Sequence, residues 1–260
     1  MSFSVETTSS HLSGHLHVLW FSATGNSRKA GRALASRLRS ALNLPLYTAD
    51  ISSPGAREKE YAFTPADILI LSIPTHYGHV PELLLPFLTR QLQGNGALAV
   101  PVVTWGGQSY GDTLRVLGKI LEQRDFRISA GTAVRAGHAF LCDTPEYSEL
   151  LDTDALHAFA EQVLNCIREE KFLRAADLPL CQLQIPARPD FSDIRLVTDT
   201  ALCEGCCMCE GVCPSGAIVR EDPTLTSDAC IQCHACVCRC PRKARRFVGE
   251  GYTKYKETLT

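Results

Sequence analysis

The chain has 260 residues, 45% of them hydrophobic and 21% charged, with a formal net charge of -2 at pH 7. That length allows one large domain or two smaller ones. The near-neutral balance removes the electrostatic case for nucleic acid or an anionic membrane as partner, and no apolar run reaches the length of a membrane span.

The first fourteen residues are polar and read as a loose N-terminus, residues 1–14. They carry no basic n-region and no apolar h-region, so a secretory signal is not expected and the chain is read as cytoplasmic. His17 to Phe21 is a near-continuous apolar run, as a strand buried on both faces requires. Ala30, Leu34, Leu38 and Ala41 recur at helical spacing and predict a helix from Asn26 to Leu42. A short strand is expected at Leu46–Ala49, a strong one at Asp67–Ile73, a helix around Pro81–Leu92 and a third buried strand at Leu98–Thr104. Leu114, Leu117 and Leu121 put a helix over Asp112–Gln123, and a last strand follows at Arg127–Val134. Leu156, Phe159, Val163 and Ile167 mark a last helix. Regular alternation of strand and helix predicts an α/β fold: a doubly wound parallel sheet with helices on both faces, over residues 15–174.

Between the first strand and first helix stands Ser22-Ala23-Thr24-Gly25-Asn26-Ser27. In open α/β sheets, ligands bind beyond the carboxyl ends of the strands. A helix N-terminus there offers free N–H groups and a positive dipole end to a phosphate. Ser22, Thr24 and Ser27 add hydroxyl donors, and Gly25 lets backbone approach closely. The loop has no Lys or Arg, and neither a P-loop nor a dinucleotide fingerprint is present. An ordinary capped helix start is the alternative.

After residue 174 the alternation stops. Pro179, Pro186 and Pro189 mark residues 175–198 as a linker. Residues 199–260 have too few large apolar side chains to fold on a hydrophobic core alone. Of 13 cysteines, 10 lie between Cys203 and Cys240. Without a secretory signal these argue for metal rather than a disulfide framework, while Cys142, Cys166 and Cys181 read as free thiols. Cys203, Cys206, Cys209 and Cys213 precede Pro214, and Cys230, Cys233, Cys236 and Cys240 precede Pro241. Both runs read C-x2-C-x2-C-x3-C-P, in register at a shift of 27.

Cys230 to His234 also matches C-x-x-C-H, the haem attachment motif, but haem would leave Cys236 and Cys240 without a role. Zinc sites usually come as C-x2-C pairs with a longer spacer. The doubled run instead resembles bacterial two-cluster ferredoxins, in which the fourth cysteine of each run ligates the other cluster. The resemblance implies one 4Fe-4S cluster on Cys203, Cys206, Cys209 and Cys240, and a second on Cys213, Cys230, Cys233 and Cys236. Cys207 and Cys238 fall outside the frame, as spare ligands or as small residues packed near a cluster.

Ser22 to Ser27 is similar to the phosphate loop of flavodoxins, and so is the pattern of the whole first block. That resemblance implies FMN, with its ring held by two later loops: Pro74, Thr75, His76, Tyr77 and Gly78, and Thr104, Trp105, Gly106 and Gly107 through Tyr110. Tyr77, Trp105 and Tyr110 are either ring-stacking residues or aromatics at a loop–core boundary. His76 and His79 read as polar loop residues. Together the two blocks resemble the fused flavodoxin–ferredoxin proteins, over Leu16 to Phe247. One departure is Cys240-Pro241-Arg242-Lys243-Ala244, where ferredoxins often carry a glycine after Cys-Pro.

The fusion implies a flavodoxin-like sheet followed by a small α+β two-cluster domain. It implies an electron-transfer flavoprotein relaying electrons between an external redox partner protein, the clusters and FMN. Turnover of a small molecule such as a quinone at the flavin, or redox sensing by the clusters, are the alternatives. No catalytic residue is singled out, and oligomeric state is left open. Arg239, Arg242, Lys243, Arg245 and Arg246 form either a docking face for an acidic partner or a solvated basic stretch.

Overall fold

The structure is a computed structural model and describes residues 14–144, 147, 149–181 and 192–259. All of the expected loose N-terminus except Gly14, and Pro186 and Pro189 of the expected linker, lie outside the described residues. The first block contains β1 (Leu16–Trp20), α1 (Asn26–Leu42), β2 (Leu46–Asp50), β3 (Ile68–Pro74), β4 (Leu98–Trp105), α2 (Thr113–Gln123), β5 (Arg127–Ile128), β6 (Thr132–Arg135) and α3 (Thr153–Arg168). The strands pair in parallel in the order β2-β1-β3-β4, with β5 and β6 both along the far edge of β4. Counted as one interrupted strand, β5 and β6 complete the order of flavodoxin-like doubly wound sheets, whose ligand crevice lies between the first and third strands.

Alternation along each strand divides the core into two layers. Val18, Trp20, Ile68, Ile70, Val100 and Val102 meet Leu34 and Leu38 of α1 and Phe159 and Val163 of α3. Leu19, Phe21, Leu69, Leu71, Ala99 and Val103 meet Leu114, Leu117 and Leu121 of α2 on the opposite face. A fully buried aliphatic side chain contributes about 1.5–3 kcal/mol, so these two layers hold the strand ends still for the loops above them.

Two sequence expectations change. The helix expected around Pro81–Leu92 is present as one run of mixed type: 3-10 at Glu82–Leu84, α at 85–86 and π at Phe87–Gln91. Pro86 sits inside this run in α conformation; lacking an N–H, it removes one rung of a regular α ladder. The last strand is split at residues 129–131. β5 ends opposite Ala99 and β6 begins opposite Val102. The gap faces Pro101, which has no N–H for a ladder.

The second block contains β7 (Arg195–Thr198), α4 (Met208–Gly211), α5 (Ala235–Arg239), β8 (Arg245–Val248) and α6 (Glu250–Glu257). β7, inside the segment read as linker, pairs antiparallel with β8. At the linker's start Leu178 is buried in the first core, and its carbonyl accepts from Arg115 Nε at 2.8 Å.

The two blocks share a core. Phe140 of the first packs with Ile194, Val237 and Phe247 of the second. The His234 ring lies between Phe140 (4.6 Å between centroids) and Phe247 (4.3 Å) and stacks on Tyr252 of α6. Burial holds His234 neutral by pushing its pKa down to about 3. Its place after Cys233 thus serves domain docking. Arg57 Nη2 donates to Pro214 O at 2.5 Å, and Lys256 Nζ lies 3.0 Å from Asp143 Oδ1, adding polar ties around this apolar contact.

Candidate functional site

The loop between β1 and α1 is held open by its own hydrogen bonds. Ser22 N donates to Ser52 Oγ at 2.8 Å, and Arg28 N donates to Ser22 Oγ at 3.1 Å. Gly25 is the helix N-cap at φ 108°, a left-handed conformation that glycine adopts without strain. Asn26 Nδ2 donates to Gly137 O at 3.0 Å, Ser27 Oγ pairs with Thr104 Oγ1 at 2.7 Å, and Thr24 Oγ1 pairs with the Tyr147 hydroxyl. These side chains tie the loop to its neighbours, while the N–H groups of Asn26 and Ser27 in the first helical turn have no intrahelical acceptor. The opening suits an anion.

The loops after β3 and β4 are braced together. Thr75 N donates to Thr104 O at 2.9 Å, and Thr75 Oγ1 pairs with Thr113 Oγ1 at 2.7 Å. His76 and His79 exchange both backbone hydrogen bonds around Tyr77 (φ 53°) and Gly78 (φ 82°). Two successive positive φ values make a type I′ turn, which thrusts the Tyr77 side chain outward. Gly106 is pressed against the loop after β6: a Cβ there would sit 2.7 Å from Ala136 O and collide with the His138 backbone.

These loops enclose a cavity of about 830 Å3 above the carboxyl ends of the strands. Ser22, Thr24, Asn26, Ser27, Pro74, Thr75, His76, Tyr77, Gly78, Thr104, Trp105, Gly106 and Gly107 all line it. Gly25 and Tyr110 do not. Gly25 shapes the turn behind the wall, and Tyr110 packs on the α2-side core with its ring 6.1 Å from Trp105.

Sequence reasoning missed three further parts of the wall. The loop after β6 contributes Ala136 to Phe140, Tyr147 adds its ring, and the second block contributes Cys230, Ile231, Gln232, Cys233 and Tyr255. The loop after β6 was accessible from the strand-end rule; the others depend on docking, which has no local signal. Burial pushes the His76 and His138 imidazoles down to about 4 each, the latter helped by His76 itself. Both are therefore neutral near pH 7, and His138 Nδ1 accepts the Phe140 N–H at 3.2 Å.

The wall fits a flat polar ligand with an anionic tail. Its buried Trp105 Nε1, Asn26 Oδ1 and Gln232 Oε1 have no hydrogen-bond partner, and buried polar atoms ordinarily have one. Aromatic rings and backbone in one part of the wall, with helix N–H groups in another, match the demands of FMN named from the sequence.

The cysteine repeat is also a backbone repeat. Left-handed residues recur at Gly205 and Gln232, Cys207 and His234, and Gly216 and Lys243, pairs related by the shift of 27. Cys207 and His234 are the N-caps of α4 and α5. Ala217 N donates to Cys213 Sγ at 3.3 Å, and Ala244 N donates to Cys240 Sγ at 3.2 Å. Each fourth cysteine thus receives the N–H···S bond that favours a sulfur bearing negative charge.

Cys230, Cys233 and Cys236 influence one another and Cys213 electrostatically; Cys209 likewise feels Cys203. Burial pushes the Cys233 thiol up to about 12 and the Cys236 thiol to about 11. A coordinating metal deprotonates such thiols outright.

Between the sets lies Arg245, 3% exposed, whose Nη1 and Nη2 have no hydrogen-bond partner. It favours the ionised forms of Cys209, Cys230 and Cys236. Arg245 also hydrogen-bonds the Cys236 side chain; a buried cation without an anionic partner is strongly destabilising, so this position calls for anions, and thiolate-ligated clusters fit. The basic stretch is therefore not uniform: Arg242 pairs with Glu204 at 3.1 Å on the surface, whereas Arg245 points inward. Cys207 Sγ lies 3.3 Å from Gly205 O, and Cys238 Sγ lies 3.6 Å from Cys142 O. None of the thirteen cysteines, all among the described residues, is in a disulfide.

No protein-family model and no curated protein matches the chain. Among solved structures it is similar to a short-chain flavodoxin associated with a non-canonical PDU bacterial microcompartment, at 20% identity over 58% of this chain and 97% of that one, TM-score 0.42. It is similar to the rubredoxin oxygen:oxidoreductase of Desulfovibrio gigas at 17% identity and TM-score 0.42, over 60% of this chain and 36% of that one. A flavodoxin from the domain Archaea shares 12% identity over 58% of this chain and 99% of its own, TM-score 0.37. The chain thus spans about a third of the length of the oxidoreductase.

Proposed function

We propose that this protein is an electron-transfer iron–sulfur flavoprotein, with FMN in the cavity and two 4Fe-4S clusters on the eight in-frame cysteines. One observation carries the reading: the loop Cys230–Cys233 is part of the cavity wall. A cluster on Cys213, Cys230, Cys233 and Cys236 would have its ligand loop against the flavin. When bound, FMN supplies one- and two-electron exchange and the clusters supply one-electron exchange.

The protein's own residues supply binding, order and exclusion of water. The α1 N-terminus and the hydroxyls of Ser22, Thr24 and Ser27 receive the phosphate. Trp105 and Tyr77 would flank the ring, and Gly106 and Gly107 would let backbone approach it. Tyr255, whose hydroxyl would lie 3.2 Å from a Cβ on Gly107, closes the cavity from the second block. His76 and His138 stay neutral and put no cation beside the ring. The first cysteine set is the outward one: Cys206, Leu202 and Met208 are exposed, whereas Cys236 is buried. An external redox protein would therefore meet the cluster on Cys203, Cys206, Cys209 and Cys240 first.

The test is anaerobic purification followed by iron, sulfide and FMN assays and a reductive titration monitored by absorption and EPR. About eight irons and one FMN per chain are expected, with clusters and flavin coming to redox equilibrium within one molecule. Zinc in place of iron, absence of flavin, or centres that never equilibrate would each reject the relay.

A further inference from the structure

At the opposite end of β1 from the cavity, two histidines face one carboxylate. His15 and His17 are two residues apart along an extended chain, so their side chains project to the same side. Asp67 immediately precedes β3, the parallel neighbour, and Ile68 N donates to His15 O at 2.9 Å. His15 Nδ1 lies 3.3 Å from Asp67 Oδ1, and His17 Nε2 lies 3.6 Å from the same oxygen. All three ligand atoms fall within 4.8 Å of one another.

Hydrogen bonding accounts for His15 but leaves His17 without a partner at this oxygen. Asp67 Oδ1 already accepts the His15 backbone N–H at 2.9 Å. The His15 Nδ1 contact with that oxygen, at 3.3 Å, is within hydrogen-bond reach, but His17 Nε2 at 3.6 Å lies beyond it. A metal ion satisfies both nitrogens together. A tetrahedral ion with bonds of about 2.0–2.1 Å sets its ligand atoms about 3.3–3.4 Å apart. The two measured edges lie at or near that spacing.

The ligands are also preorganised. The Asp67 side chain is 6% exposed, and its Oδ2 accepts from Thr64 N and Thr64 Oγ1, each at 2.8 Å. Hydrogen bonds of this kind fix a ligating carboxylate in orientation. The His17 ring stacks on Tyr47 at 5.5 Å and meets Phe63 edge-on at 5.0 Å. His15 is 44% exposed on its outer side, which leaves room for solvent.

We infer that His15, His17 and Asp67 form a mononuclear Zn2+ site, with water in the fourth position, clipping the first residues of β1 to β3. Two imidazoles and a carboxylate suit Zn2+ or non-haem Fe2+; the tetrahedral spacing of the two edges, with a single open position, selects zinc over the octahedral iron site. The site shares no residue with the flavin cavity or the cysteine runs.

The test uses the full chain purified anaerobically. Zn2+ is titrated against a chromophoric chelator, and the bound ion is read by X-ray absorption at the zinc edge. One zinc per chain is expected, with a nitrogen and oxygen shell at about 2.0–2.1 Å. His15→Ala and His17→Phe should each weaken binding at least about tenfold, since loss even of an outer-shell partner costs that much. Iron and flavin content should not change. A sulfur shell near about 2.3 Å, equal zinc binding in both variants, or no retained zinc would overturn the site. His15 is the more exposed residue, so His15→Ala decides the matter should His17→Phe fail to fold.

Discussion

At the residue scale, Arg245 is the side chain whose environment makes least sense without an anion. It is buried, its terminal nitrogens are unpartnered, and it lies among three cluster-run cysteines. Arg245→Met keeps the bulk and removes the charge. In metal-free protein the variant should be more stable than wild type, because an uncompensated buried charge is gone. In cluster-loaded protein it should lower both cluster potentials, by about 59 mV for each tenfold loss of one-electron affinity. Thermal melts and EPR-monitored titrations read the two effects; equal melts together with unmoved potentials would remove Arg245 from the site. Lys243 carries the second residue-scale prediction. It occupies, at φ 53°, the left-handed position that Gly216 occupies at φ 65° in the first half. A non-glycine residue there costs about 1–2 kcal/mol, partly offset by glycine's greater unfolded freedom. Lys243→Gly should raise stability by about 0.5–1 kcal/mol in a denaturant melt. An unchanged midpoint would mean that this turn is unstrained.

At the element scale, the strand-end loops and the C-terminal helix shape the cavity together. Gly106 has no room for a side chain beside Ala136 and His138. Gly106→Ala should push the loop after β4 away from the loop after β6 and weaken FMN binding at least about tenfold, a cost of about 1.4 kcal/mol. Flavin fluorescence titration measures it, and wild-type affinity would show that these loops do not hold the ring. How much of this was legible depended on range. α1 was predicted to the residue, because Leu34 and Leu38 repeat at helical spacing and the glycine loop fixes its start. The parallel sheet with helices on both faces followed from alternation; its strand order did not. The Pro81–Leu92 helix was found but its mixed 3-10, α and π character was not legible, and the β5–β6 break was missed because Pro101 acts from a neighbouring strand. Tyr147, Tyr255 and the Cys230–Cys233 wall reach the cavity only through packing of distant segments. No periodicity in their own sequence encodes that contact.

At the scale of the whole molecule, the aromatic contact of Phe140 with His234, Phe247 and Tyr252 fixes the two blocks so that one cysteine run faces the cavity and the other faces solvent. That asymmetry gives the proposed relay an order, flavin to inner cluster to outer cluster, and the order is testable without knowing the partner. Light-driven reduction of the flavin under anaerobic conditions injects electrons at one end. Cys206→Ser should disturb the outer cluster, yet the EPR signal of the inner cluster should grow at the wild-type rate. Cys233→Ser should disturb the inner cluster, and reduction of the outer one should then lag, because the cluster beside the flavin is the one affected. Each site draws one cysteine from the other run, so either variant leaves four assigned ligands for the remaining cluster. Iron content near half of wild type is the control that one cluster survives. Equal lag in both variants would mean the two clusters exchange with the flavin independently. A faster outer than inner response in wild type would reverse the order inferred from the cavity wall.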